Sequence, residues 1–516
     1  MTVDRFLEDS ARTHPDREAL VTKEGRFTYG RLGAMAAAFS SALVSGGLKK
    51  GDRVCILLEN SAELVAAVFG VLRAGGVFVL LNPTTKARKC GYIFNDCRAS
   101  ALVTTYEKAQ LIAEIAASAP SLKRIWLSGQ AAVLPSPVSG ISASLREALL
   151  PVSAPGPASG PEATDLASII YTSGSTGAPK GVTMAHSNMA AAADSIISYL
   201  GITRDDVILN TLPMSFDYGL YQVLMGFRSG ARVVLEKFLY SWDILKTIEK
   251  ERVTGFPIVP TISSILLKTE DFKGLSFEGL RYITNTGAAL PVQHIKRLRE
   301  IFPKTKIFSM YGLTECKRVS YLPPEELDRR PTSVGKPMPN TDAYVVDSEG
   351  KRVGHGVTGE LVVKGPSVMA GYWGLPEETA KALRPDAGGE TVLYTGDLFR
   401  TDEDGFLYFV GRKDEILKCR GEKVSPREVE EVIHWHEGVA QAAVAGVPDA
   451  VLGTALKAFV VRKRGSELTQ RELMQHCSRH LEDFMVPKYI VFMEDLPKNE
   501  NGKVDRPRLA EGGAAG

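Results

Sequence analysis

No two cysteines in this sequence stand at a spacing that would bind a metal or form a redox pair. Cys55, Cys90, Cys97, Cys316, Cys419 and Cys477 are scattered along 516 residues without a CxxC pair. That argues against a thiol zinc site and a disulfide framework, and suits reduced structural thiols in a cytosol better. Excess charge is lacking as well. With 62 Lys and Arg against 60 Asp and Glu the formal charge is +2, so no electrostatic footprint for nucleic acid or anionic lipid is expected. Long apolar runs are missing too: the best window, 62 to 81, is interrupted by Glu63, Arg73 and the Gly75-Gly76 pair, and reads as helix, turn and strand rather than a membrane span. The first ten residues place Asp4, Glu8 and Asp9 where a signal peptide needs a basic and then an apolar stretch, so a cytoplasmic protein is expected.

What the sequence has is alternation. Strand-like runs at Val54 to Leu58, Val77 to Leu81, Arg232 to Leu235 and Gly255 to Val259 recur between helical stretches, the rhythm of parallel βα units. The length predicts about three compact units. Between 135 and 161 the composition shifts to Pro, Ser, Ala and Gly, which marks a connection between subdomains. After Gly411 the texture changes. Ser425-Pro-Arg-Glu428 and Thr469-Gln-Arg-Glu472 read as capping boxes opening two helices, with strands at Ala440 to Val447 and Leu456 to Val461 between them. The fold expected is α/β: a large N-terminal domain of layered α/β subdomains (1–410), a hinge at 411–414, a small mobile α+β C-terminal domain (415–509) and a flexible tail (510–516).

The densest chemistry lies in residues 171–181. A short buried strand, Ser168 to Tyr171, runs into a loop of hydroxyls and glycines that ends in one lysine, and a parallel sheet binds its ligands beyond the carboxyl ends of its strands. Gly174, Gly177 and Gly181 permit close backbone approach to an anion, Thr172, Ser173, Ser175 and Thr176 offer hydroxyl donors, and Lys180 adds a positive charge. A Walker loop is excluded by spacing, because Ala178-Pro179 precede Lys180 and Gly181 follows it. On its own the loop points only to a nucleotide.

Four motifs follow in order: Tyr311-Gly-Leu-Thr-Glu315, Tyr394-Thr-Gly-Asp397, Gly411-Arg-Lys-Asp414 and the stretch from Pro497 to Arg506 with Lys503 inside it. Together with the loop they resemble the acid:AMP-ligase superfamily of adenylate-forming enzymes, which includes acyl-CoA synthetases, luciferases and the adenylation domains of peptide synthetases. The resemblance covers nearly the whole chain. It implies that ATP and Mg²⁺ are used to join a carboxylate to the α-phosphorus with release of pyrophosphate, a reaction between two anions that must be helped by cations and dipoles. Carried over residue by residue, it implies that the loop and Tyr311 bind the nucleotide, Glu315 holds Mg²⁺ and Thr314 donates to the α-phosphate. Asp397 would bind the ribose hydroxyls and Arg412 the ribose or phosphates. Lys503 would bridge the attacking carboxylate and the nucleotide as the catalytic lysine. Rotation of the small domain about Asp414 would then bring up Lys418, Gly421 and Lys423, with Gly421 leaving room for a pantetheine arm. Read without the resemblance, 418–423 is a charged turn before a helix.

The same resemblance directs attention to Met214-Ser-Phe-Asp-Tyr-Gly-Leu-Tyr-Gln222, where amino-acid adenylation domains carry Phe-Asp and pair the carboxylate with the substrate ammonium. Asp217 matches that pattern. A carboxylate facing a pocket needs a cation, and a substrate amine is the simplest; a cap for a helix beginning at Tyr218 is the other reading. The family pattern places Tyr221, Thr284, Thr286, Met310, Arg318 and Val319 along the acid pocket. If Arg318 faces inward, with Lys317 as helper, it suggests a second anionic or polar group and hence an aspartate-like or β-amino acid; it can equally point away into an ion pair.

The acceptor is expected to be the phosphopantetheine thiol of a separate carrier protein, with free coenzyme A second. A nucleotide-binding module that has lost turnover would show a broken motif, and Lys503, Glu315, Asp397 and Arg412 are all present. A luciferase-like fate of the adenylate shares the motifs. His434, His436, His476 and His480 are close in sequence or at helical spacing, but lack carboxylate or thiol partners at ligand spacing, and are read as a polar helix face.

Overall fold

A computed structural model of the chain describes residues 1–130, 141–150, 160–172, 179–238, 240–267, 269, 272, 274–386, 388–413, 417–419, 422–449, 453–481, 485–498 and 504–511. It separates into two compact units, Met1–Ala343 with Val363–Leu393, and Tyr344–Val362 with Tyr394–Gly516.

Two mainly parallel sheets organise the first unit. Among the described residues, one orders its strands as Lys336–Pro337, Ser320–Tyr321, Lys306–Tyr311, Tyr282–Asn285, Gly255–Ile258, Val207–Asn210, Arg232–Leu235, Glu18–Thr22 and Gly25–Thr28. The other runs Gly371–Tyr372, Lys180–Ala185, Leu166–Thr172, Val77–Leu80, Arg53–Ile56, Ala101–Thr105, Arg124–Ser128 and Ser142–Ser144. Every residue of Val77–Leu80, Val207–Asn210 and Gly255–Ile258 is buried, as parallel strands covered on both faces must be; hence their near-continuous apolar runs. The window read as helix, turn and strand is the helix Ala62–Arg73 followed by Val77–Leu80. Ser61 caps that helix by accepting from Leu64 N at 3.1 Å.

In the second unit the strands Thr391–Thr401 and Leu407–Arg412 pair antiparallel from Asp397↔Arg412 to Thr401↔Leu407. Beyond them Val439–Asp449, Gly453–Arg462 and Tyr489–Met493 form a sheet, antiparallel then parallel. The helices Pro426–Trp435 and Gln470–His480 contribute Val429, Ile433, Leu473 and Cys477 to the core lined by Val444, Leu456 and Ala458. The capping box at Thr469 forms in both directions. The one at Ser425 does not: proline takes the first helical turn as expected, but the Ser425 hydroxyl donates to the Val410 carbonyl. A serine at a helix start has two uses for its oxygen, and here a longer-range acceptor wins.

Among the described residues no helix is long and apolar enough to cross a membrane, and all six cysteines are buried free thiols. No group of three or more His, Cys, Asp or Glu stands ready to hold a metal there. His434, His476 and His480 instead bond the carbonyls of Glu430, Val432 and His476.

Candidate active site

The glycine-rich loop is strung between two antiparallel strands. Leu166–Thr172 lies parallel to Val77–Leu80 on one side, and antiparallel to Lys180–Ala185 on the other. The loop thus closes a hairpin rather than opening a helix, which sets it apart from Walker geometry in topology as well as spacing. Ser173, Gly174, Ser175, Thr176 and Gly177 lie outside the described residues; Thr172 and Lys180 pair as the last and first residues of the two strands. Gly181 has a packing role: a Cβ there would stand 2.8 Å from Ile169 Cγ2 and 3.2 Å from the Trp373 side chain. Its missing side chain lets Trp373 close over the strand.

Lys180 donates to Glu378 Oε2 at 2.6 Å and its ammonium lies 5.6 Å from the centre of the Tyr372 ring. The Lys180 hydrogen bond, seconded by one from Lys381, holds the Glu378 carboxyl down at about 2. On the same phenol, the Tyr372 hydroxyl donates to Glu315 Oε1 at 2.8 Å. One tyrosine therefore orients the carboxylate expected at the metal and neighbours the cation expected at the phosphates. Tyr372 and Glu378 were not anticipated. The run Leu375-Pro376-Glu377-Glu378 reads as a helix start, and the helix Pro376–Ala382 forms, but nothing local directs Glu378 towards a residue 198 positions earlier.

Glu315, Thr314 and Tyr311 sit on the turn between the strands Lys306–Tyr311 and Ser320–Tyr321. The turn is held by Cys316 N and Lys317 N donating to the Leu313 carbonyl at 3.1 and 2.7 Å, and by Val319 N donating to Tyr311 O at 2.9 Å. Gly312 makes the closure possible, since a Cβ there would fall 2.1 Å from the Lys317 carbonyl oxygen. Lys317 is the strained residue, with φ +65°, a left-handed conformation that costs a side-chain-bearing residue roughly 1–2 kcal/mol.

That strain aims Lys317 inward. Its Nζ meets Asp217 Oδ2 at 3.0 Å, with the two side chains 2 % and 14 % exposed. Asp217 opens the helix Asp217–Ser229, whose N-cap is Phe216. Its carboxylate is therefore not a cap, and its Oδ1 is buried with no hydrogen-bond partner. The cation that a buried carboxylate requires is supplied by the protein. Arg318 is also buried, at 4 % exposed. Its guanidinium carbon lies 5.2 Å from the Tyr218 ring centre and its Nε has no partner. Burial pushes the neighbouring Tyr199 hydroxyl up to about 12, against the opposing Arg318 charge. The ion pair considered for Arg318 is not made among the described residues.

Of the other residues expected along the acid pocket, Thr284, Thr286 and Met310 lie at the carboxyl ends of parallel strands, Tyr221 in the helix Asp217–Ser229 and Val319 on the turn that follows Tyr311. Thr284 sits in Tyr282–Asn285 and bonds the Tyr218 hydroxyl at 2.6 Å through its own hydroxyl. Thr286, one residue beyond that strand, has a buried hydroxyl with no partner. Met310, on the adjacent strand, accepts from Tyr199 through sulfur at 2.9 Å. Val319 is fully buried, and Tyr221 donates to the Met189 carbonyl at 3.4 Å.

In the second unit, Asp397 and Arg412 face one another across the hairpin with Arg412 Nη1 3.5 Å from Asp397 Oδ1. Thr395 accepts from Asp397 N at 3.1 Å and donates to Leu361 O at 2.8 Å, tightening the turn that presents the carboxylate. Lys418 lies on the strand Leu417–Cys419, in register with Lys423. Asp414, Gly421 and Lys503 lie outside the described residues.

The chemistry of this set fits a Mg-nucleotide. A single carboxylate oriented by a phenol would not hold Mg²⁺ alone, but Mg²⁺ is ordinarily held by one or two carboxylates together with substrate phosphates, for which Lys180 is the expected cation. Comparison with known proteins decides the family. Residues 7–373 match the AMP-binding enzyme model and residues 428–503 its C-terminal domain. The chain belongs to the AMP-binding enzyme family. This adenylate-forming ligase is 32 % identical to a long-chain-fatty-acid–CoA ligase of Bacillus subtilis, over 99 % of this chain and 94 % of that one. It is 30 % identical to one of the linear gramicidin synthase proteins of Brevibacillus parabrevis, over 99 % of this chain but 6 % of that one. Among solved structures it resembles ATP-bound MatB from Rhodopseudomonas palustris at TM-score 0.87 and 30 % identity, covering 99 % of both chains. It also resembles the anthranilate CoA ligase AuaEII bound to anthranoyl-AMP, at 0.89 and 28 %, covering 99 % and 97 %. The ligase thus uses ATP to activate a carboxylic acid as an acyl-adenylate within a mixed α/β fold of a large N-terminal and a smaller C-terminal domain.

Proposed function

We propose that this ligase is a thioester-forming enzyme that hands its acyl-adenylate to the thiol of coenzyme A. The carboxylate oxygen of the acid attacks the α-phosphorus of ATP and pyrophosphate leaves; the thiolate then attacks the acyl carbon and AMP leaves. Bound Mg²⁺ would supply charge neutralisation at the phosphates. Glu315, oriented by Tyr372, is the residue to hold it, with Thr314 beside it as an α-phosphate donor. Lys180 and the loop 172–177 are assigned to the phosphates, Tyr311 to the nucleotide, Asp397 and Arg412 to the ribose side, and Lys503 to the attacking carboxylate. Lys418 and Gly421 are assigned to the pantetheine, with Asp414 as the hinge between the half-reactions. The observation that carries the reading is the end-to-end similarity to CoA ligases that are themselves of comparable length.

Transfer to a carrier protein is the second reading, favoured by the full-chain similarity to segments of the gramicidin and surfactin synthases. The amine-bearing acid suggested by Asp217 loses support, since Lys317 already occupies one of its oxygens. Acid-dependent pyrophosphate release, followed by mass detection of acyl-CoA and of acylated carrier protein, tests the proposal. Loading of carrier protein with no acyl-CoA would replace the first reading by the second. Absence of acid-dependent pyrophosphate release would reject both.

A further inference from the structure

Resting on the reading that Asp217, Thr284, Thr286, Met310, Arg318 and Val319 line the acid pocket, we infer that the substrate carries a second anionic group, held by Arg318, and no ammonium. The buried charges lead there. Lys317 and Asp217 neutralise one another at 3.0 Å, which leaves the buried Arg318 guanidinium without a carboxylate among the described residues and with Nε unpartnered. A lone buried cation is strongly unfavourable unless it is paired and hydrogen-bonded. The ring face of Tyr218 and a hydrogen bond to the Tyr199 hydroxyl, both from neutral groups, supply only part of that stabilisation and leave the positive charge uncompensated.

An acid with a neutral tail would leave the excess positive charge in place. An amino acid would add a third cation beside Lys317 and Arg318 while gaining only Asp217 Oδ1. An acid whose far end is a carboxylate brings the cluster to neutrality and can accept from the planar fork of Arg318. Thr286 Oγ1 and Asp217 Oδ1, both buried without partners, leave one donor and one acceptor for neutral polar groups, which suits a hydroxyl on the substrate chain.

The test compares dicarboxylic acids of four to eight carbons with their monomethyl esters, with monocarboxylic acids of equal length, and with aspartate and β-alanine, read by pyrophosphate release and hydroxylamine trapping. The wild-type ligase is expected to prefer one of the dicarboxylic acids over its monoester by about a hundredfold or more in kcat/KM, the range reached when a site built to bind a polar group meets an analogue lacking it. In Arg318→Met that ratio should collapse to within about threefold, and Arg318→Lys should restore part of it. Should Arg318→Met prove unfolded, protection of the wild-type protein against thermal unfolding by the dicarboxylic acid, absent with its monoester, is the expected substitute. Preference for neutral-tail or amine-bearing acids overturns this inference and leaves the ligase reading intact. Activation of no acid at all, with intact ATP binding, overturns both.

Discussion

The Asp217–Lys317 pair permits a quantitative test, because breaking it and removing it have opposite consequences. At 3.0 Å two unit charges attract by roughly 5 kcal/mol at an effective dielectric of about 20, an attraction largely offset by the desolvation of both groups. Lys317→Met keeps the side-chain volume and the left-handed backbone but leaves a carboxylate with neither oxygen bonded. Asp217→Asn leaves a 2 %-exposed ammonium next to a buried guanidinium. Each single change is expected to lose about 3–5 kcal/mol, the usual result of stranding one partner of a buried pair. The double variant Asp217→Asn with Lys317→Met removes both charges and should lose less than either single change. The coupling should therefore be about 3 kcal/mol or more. Urea unfolding of the four proteins, followed by tryptophan fluorescence and circular dichroism together, measures it. Additive losses in the double variant would refute the idea that the protein, rather than its substrate, provides the counter-ion of Asp217.

Three further outcomes follow from other parts of the molecule. Gly312→Ala should destabilise the first unit by about 3 kcal/mol or more and abolish acid-dependent pyrophosphate release, because its Cβ would lie 2.1 Å from the Lys317 carbonyl oxygen; normal unfolding and turnover would contradict the described closure of the turn. His186 accepts from Val3 N at 3.0 Å through Nδ1, and burial lowers its pKa to about 4 against the opposing pull of Asp165, with Lys50 and the N-terminus adding to the lowering. The neutral form is the folded form, so its contribution is complete above about pH 6.5 and is lost as the pH falls from there to about 4. Stability should drop by about 2 kcal/mol between pH 7.5 and pH 5.0 in the wild type relative to His186→Gln, and equal pH slopes in urea titrations would disprove it. Lys503→Ala should lower adenylation by roughly 10²–10³-fold in a pyrophosphate-exchange assay, while transfer from synthetic acyl-AMP to thiol is retained; near-normal exchange would remove Lys503 from the first half-reaction.

The fold was largely legible because it is written locally. Runs such as Val77 to Leu81 and Arg232 to Leu235 have almost no polar residue to place on a wet face, so they had to be buried parallel strands, and the structure ends them within one residue of the reading. The Thr469 capping box was legible for the same reason, because its partners are three residues apart. What failed to show were partners fixed only by the tertiary fold. Asp217 invited a substrate amine because Lys317, 100 residues away, becomes its neighbour only when a strained turn swings it inward, and no composition rule predicts a lysine at φ +65°. Tyr372 and Glu378 likewise reach Glu315 and Lys180 only because the Gly371–Tyr372 strand adds to the edge of the Lys180–Ala185 strand.

The turn from Tyr311 to Val319 links the two halves of the chemistry within one short piece of backbone. Glu315, the carboxylate assigned to the metal, and Lys317 and Arg318, the cations assigned to the acid pocket, are near neighbours in sequence and share the closure made by Gly312, Leu313 and Val319. A charge change at 317 or 318 cannot then be purely a change of specificity, because any relaxation of the strained Lys317 backbone would shift the segment that carries Glu315. Lys317→Gly separates the two effects: it frees the left-handed conformation from its penalty, a gain of roughly 1 kcal/mol, while removing the ammonium. If acid selection and metal dependence are coupled through backbone strain, Lys317→Gly and Lys317→Met should shift the Mg²⁺ concentration for half-maximal pyrophosphate release to different extents. Identical shifts would assign the whole effect to the lost charge and leave the strain without a functional role.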